Sequence, residues 1–153
     1  MIRLSRLADY AVVLMTHLAA KPERLSTAPE LALATRVPAP TVSKILKVLA
    51  REGLLMSHRG ARGGYTLARP AEQISIADII GPFDGSVALT ECIEDAPGDC
   101  GLEPSCPVRN HWRKINNAVR GALEELLLAD MMTPWLPVVP VAARQKGMRV
   151  KAS

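Results

Sequence analysis

Between Leu4 and Glu52 the apolar residues recur at helical spacing in three stretches, and each stretch carries its own stop signal. Leu4, Leu7, Ala8, Ala11, Val12, Met15, Leu18 and Ala19 step by three and four, which places them on one face of a helix over residues 5–20 that Lys21-Pro22 ends. Thr27-Ala28-Pro29-Glu30 has the form of a capping box with proline in the first turn, so a short helix over residues 28–35 follows. Arg36-Val37-Pro38-Ala39-Pro40 then breaks the chain, and a third helix runs from about Pro40 to Glu52 before Gly53 stops it. Two short helices joined by a brief turn form a helix-turn-helix. Only five aromatic residues are available, so the core must be built from Leu, Val, Ile, Ala and Met, which favours helices over a β-sandwich.

The third helix divides by face. Val42, Ile45, Leu46 and Leu49 lie at core spacing, while Thr41, Ser43, Lys44, Lys47 and Arg51 supply hydroxyls and cations elsewhere on its surface, with Pro40 at its start. Such a face suits the major groove, where the beginning of a recognition helix meets base edges and its cations meet phosphates. Two short strands follow, Leu54 to Arg59 and Tyr65 to Leu67, around the tip Gly60-Ala61-Arg62-Gly63-Gly64. This is a wing. Its glycines permit close backbone approach to a duplex, and Arg59 or Arg62 suits the negative potential of a narrow minor groove. His58 is expected to be a partly exposed strand residue with no special role.

Charge is partitioned to match. Residues 1–69 hold eleven Lys or Arg against four acids, whereas residues 70–111 hold eight acids against Arg109 alone. The basic part is where a nucleic-acid surface would need it. The acidic part contains all the cysteines: Cys92, Cys100 and Cys106, spaced Cys-x7-Cys-x5-Cys in a loop rich in Gly, Pro, Asp and Glu. Thiolates bunched in one turn-rich loop can converge on a zinc ion or an iron-sulfur cluster. A nucleophilic cysteine would want cationic neighbours, so acidic surroundings make a bound cation or cluster the better agent of deprotonation. Three thiols also leave one over after any disulfide, and a four-coordinate site one ligand short.

Beyond the loop, Val108, Trp112, Ile115, Val119, Ala122 and Leu126 recur in steps of four and three, a narrow seam that suits pairing with a second copy; Leu123 and Leu127 widen it. Two-fold pairing would set two recognition helices on a roughly palindromic operator about one helical turn apart. The expected fold is therefore mainly α: a winged helix-turn-helix over residues 1–82, a cysteine-bearing loop over 83–106, a long dimerisation helix over 107–132 and a disordered tail over 133–153. With no long apolar run and no signal-peptide pattern, a cytosolic protein without membrane contact is expected. An enzyme is not: the glycines lie in a hairpin rather than a phosphate loop, and the three histidines form no catalytic pattern.

Four stretches together resemble the winged-helix iron-sulfur regulators that include IscR and NsrR: Leu4-Ser5-Arg6-Leu7-Ala8-Asp9-Tyr10-Ala11-Val12, the wing from Arg59 to Leu67, Ile76-Ala77-Asp78-Ile79-Ile80, and the cysteine loop. Residues 9–19 look most like the branch controlling the Suf iron-sulfur assembly operon in proteobacteria. The resemblance implies a homodimeric regulator of double-stranded DNA, without a small-molecule substrate, whose affinity depends on a 2Fe-2S or 4Fe-4S cluster. It also implies one departure. IscR-like members have a histidine three residues after the last cysteine, where this chain has Arg109, which stays protonated and cannot ligate. In NsrR-like members an aspartate early in the first helix reaches the partner's cluster, and Asp9 occupies that place. His111 is the rival, a small thiol or water the third choice, and the plain alternative for Asp9 is an ion pair with Arg6. A regulator responsive to nitric oxide or redox stress, or one with structural zinc, remains the alternative function.

Overall fold

The computed structural model describes residues 3–86, 88–90, 93, 100 and 105–132. Helix α1 (Arg6–Ala19) starts one residue later than its periodicity suggests, because Ser5 is its cap: the Ser5 hydroxyl accepts from the Ala8 N–H at 3.1 Å. Its buried face is Ala8, Ala11, Leu14, Met15, Leu18 and Ala19. Helix α2 (Ala28–Thr35) has the expected bounds and a complete capping box, the Thr27 N–H donating to Glu30 at 2.8 Å. Arg36 then turns the chain in the left-handed region, φ 61°, a conformation that costs a non-glycine residue.

Helix α3 (Ala39–Arg51) begins at Ala39 rather than Pro40, since the Pro38 carbonyl already accepts from the Val42 N–H at 3.0 Å. Val42, Ile45, Leu46 and Leu49 are all fully buried. The wing follows as β1 (Leu55–His58) paired antiparallel with β2 (Gly64–Leu67), from Leu55 opposite Leu67 to His58 opposite Gly64. A third piece adds to what the spacing predicts: Ser26, just ahead of α2, exchanges two backbone hydrogen bonds with Tyr65, of 3.1 and 2.9 Å. The wing root is thereby tied to the helix-turn-helix.

Helix α4 (Ile76–Asp84) opens on a second capping box, Ser75 with Asp78, and buries Ile76, Ile79 and Ile80. Its last residue, Asp84, accepts a 2.9 Å hydrogen bond from the Ser5 N–H, so the end of α4 is pinned to the beginning of α1. Helix α5 (Arg109–Glu125) is shorter than the span expected over 107–132. At Leu126 the backbone becomes extended, because the Leu126 carbonyl accepts from Ile76 and the Leu128 N–H donates to Ile74, both at 2.8 Å. A final 3-10 turn, Leu128–Met132, returns Leu128 to the core formed by α1, α3 and α4. The tail over 133–153 lies outside the described residues, as does Cys92.

Candidate DNA interface and sensor elements

The fold puts the predicted nucleic-acid residues on two adjoining elements, α3 and the wing. Pro40, Lys44, Lys47, Arg51, Arg59 and Arg62 are exposed, and Thr41 and Ser43 are half-buried at the start of α3. None of the ion pairs among the described residues involves Lys44, Lys47, Arg59 or Arg62, so these cations are unoccupied by acids there. Arg51 differs: its Nε lies 3.4 Å from Glu52, an ion pair between two exposed side chains that a phosphate can displace. At the tip the Gly63 N–H donates to the Gly60 carbonyl at 2.9 Å, and a Cβ on Gly63 would overlap the His58 carbonyl oxygen. Glycine there is a steric requirement. His58 is exposed rather than partly exposed, and pairs with Thr66 across the hairpin at 3.3 Å.

Arg36 is a further cation of this surface that helical spacing does not single out. It is exposed in the turn between α2 and α3, and its non-glycine left-handed conformation is the one feature that marks it. Glu30, by contrast, is structural: the Thr27 backbone N–H, then the Thr27 hydroxyl, hold its carboxyl below the usual carboxylate range, with Arg24 at 3.0 Å adding to the effect.

Of the cysteine set, Cys100 and Cys106 are described, and both are free, partly exposed thiols. The Cys106 carbonyl accepts from the Arg109 N–H at 3.4 Å, which places Cys106 immediately ahead of α5. Asp9 is exposed in the first turn of α1, and no ion pair among the described residues joins it to Arg6. His111 is exposed in the first turn of α5. Among the described residues no three His, Cys, Asp or Glu side chains converge within one protomer, so neither Asp9 nor His111 completes a site there with the two described thiols.

The seam of α5 is uncovered. Val108 (46 %), Trp112 (39 %), Ile115 (47 %) and Leu126 (47 %) stand exposed, with Ala122 beside them and Val119 half-buried. Leu123 does not widen that seam as expected; it packs against the protomer's own core, and Leu127 is held in a bridge to Ser75. The one buried residue of α5 is polar: Asn116, 1 % exposed, whose Oδ1 accepts from the Leu89 N–H at 3.1 Å. Within the described residues no helix is long and apolar enough to cross a membrane.

Comparison with known proteins agrees with this architecture. The model of the Rrf2 family, described as iron-dependent transcriptional regulators, matches residues 4–134. The protein aau3 of Rhizobium meliloti is 37 % identical over 130 residues, covering 85 % of this chain and 84 % of its own. Among solved structures, CymR, the global cysteine regulator of B. subtilis, superposes with a TM-score of 0.69 at 27 % identity, covering 86 % of this chain and 97 % of that one. The T. potens IscR structure superposes with a TM-score of 0.65 at 28 % identity, covering 86 % of each.

Proposed function

The chain belongs to the Rrf2 family of DNA-binding transcriptional regulators, and from that premise we propose that it is an iron-sulfur-sensing homodimeric repressor of Suf-type cluster assembly genes. The observation that carries the sensing part is the pair of free, partly exposed thiols, Cys100 and Cys106, the second immediately ahead of α5, in a chain whose family is described as iron-dependent. Their surroundings are acidic, which suits thiolates neutralised by bound iron rather than thiolates poised as nucleophiles. Cys92, Cys100 and Cys106 would supply the sulfur ligands and Asp9 of the partner the fourth, with His111 as the rival. When bound, such a cluster supplies an iron whose oxygen ligand is more easily lost than a thiolate, and hence a centre open to oxidants or nitric oxide.

The chain's own residues would do the rest. Asp9 stands on α1, whose buried face packs against α3 and α4, so a pull on Asp9 acts on the helix that supports the recognition helix. The uncovered seam of α5 would close the dimer and bring Asp9 of one protomer toward the loop of the other. Exposed Lys44, Lys47, Arg59 and Arg62 would meet phosphates, and Thr41, Ser43 and Lys44 would read bases.

Anaerobic reconstitution followed by visible absorption tests the reading. A brown protein that loses its colour on Cys92→Ala, Cys100→Ala or Cys106→Ala supports it; a colourless parent carrying stoichiometric zinc would sink it. Asp9→Ala should leave a more oxygen-sensitive centre and His111→Ala should change little. An Asp9→Ala spectrum identical to the parent, beside a His111→Ala protein without colour, reverses the ligand assignment.

A further inference from the structure

Asn116 is a buried amide on a helix that otherwise turns little toward its own protomer, and its bond spans 27 positions of the chain. Burying an amide is unfavourable unless a partner compensates, and here the partner is the backbone N–H of Leu89. Leu89 lies three residues before Cys92, at the entry of the cysteine loop. Immediately beyond, the Ile93 N–H donates to the Thr90 carbonyl at 3.1 Å, and Cys92 lies in sequence between the ends of that bond. On the helix, Asn116 follows Ile115, an exposed member of the seam. One side chain thus ties the loop's entry to the element that would carry the dimer axis.

We infer that Asn116 is a positioning residue of the sensor, fixing the entry of the cysteine loop at Leu89 against α5. This rests on the cluster reading above. Asn116 touches no iron; it acts through the Leu89 backbone. An unpaired Leu89 N–H would let the loop entry leave α5, and the ligand nearest it in sequence would be the first to dissociate.

The test uses the full-length dimer and two variants of similar volume. Asn116→Leu fills the same space without an acceptor, so α5 stays packed while the Leu89 N–H loses its partner; Asn116→Asp keeps the acceptor oxygen. Chelator-driven cluster loss, followed by visible absorption under anaerobic conditions, should be about tenfold faster in Asn116→Leu, the change expected for one unsatisfied buried N–H. Asn116→Asp should restore the parent rate. In the metal-free proteins Asn116→Leu should speed hydrogen exchange locally at the Leu89 amide, whereas a merely structural role would speed it along the whole of α5. Equal rates in Asn116→Leu and parent, or a failure of Asn116→Asp to rescue, would overturn the inference. Should the parent take up no cluster, the sensing reading fails separately. Hydrogen exchange on the metal-free proteins then decides, and a Leu89 amide that exchanges no faster in Asn116→Leu defeats the positioning role too.

Discussion

Lys47→Ala is the substitution whose effect on DNA binding follows most directly from the geometry. Lys47 is exposed on α3, turned away from Ile45, Leu46 and Leu49, and none of the ion pairs among the described residues includes it. Removing it therefore leaves the core intact and deletes only a cation. Each phosphate neutralised releases about 0.9 counterion, so deleting one phosphate-binding cation from each protomer lowers the salt slope of a two-fold dimer by about 1.8. At about 0.15 M salt the same release amounts to about fivefold per phosphate, hence about thirtyfold in affinity for the symmetric pair. Arg59→Ala and Arg62→Ala should behave alike. Arg51→Ala should fall short of them, because its guanidinium must first give up Glu52, and Glu52→Gln should tighten binding slightly. Operator titrations at several salt concentrations measure every one of these slopes. Unchanged slopes in the Lys47, Arg59 and Arg62 variants would refute this surface as the phosphate face, and a drop of only about 0.9 would refute the two-fold complex.

Replacing Thr41, Ser43 or Lys44 by Ala should reduce discrimination between operator and scrambled duplex by about 1–3 kcal/mol for each base hydrogen bond removed; equal weakening on both duplexes would demote the residue to a phosphate-binding role. Ile115→Glu should yield monomers in sedimentation velocity, since burying an isoleucine contributes about 1.5–3 kcal/mol per copy and the introduced charges would face each other across the two-fold axis; an unaltered dimer would move the interface off α5. Glu30 gives a pH signature. Its carboxyl is held low in the folded chain, so its contribution is present above the unfolded value and disappears as pH falls through the folded one. Melting curves of Glu30→Gln and the parent should therefore differ near neutrality and converge in acid, and a gap that widens in acid would contradict the capping role.

What the sequence made legible is what local spacing encodes. The capping box at Thr27, the buried faces of α1 and α3, the glycine tip of the wing and the exposed seam of α5 all follow from side-chain period or from the backbone demands of one turn. The features that spacing leaves out share a different origin. Nothing local marks Ser26 as a strand partner of Tyr65, or the residues after Glu125 as an extended return: no glycine or proline stands between Leu126 and Met132, and the helix ends because Ile74 and Ile76 offer backbone partners about fifty positions earlier in the chain. Leu123 is a misassigned face rather than a missed link. At helical spacing it lies seven residues after Asn116 and so shares the face that α5 turns to its own protomer. Asn116 is the sharpest instance. Read locally it is one polar residue among several on an exposed amphipathic helix, and its burial becomes visible only once the Leu89 backbone is laid beside it. Helix faces and caps are properties of a window, whereas the links that join the wing to the helix-turn-helix and the end of α5 to α4 are backbone hydrogen bonds, which any residue type can make and which leave no compositional trace. Substitutions at Ser26, Leu89 or Leu127 that retain the backbone should therefore be tolerated far better than substitution of Asn116, where the link depends on a side chain.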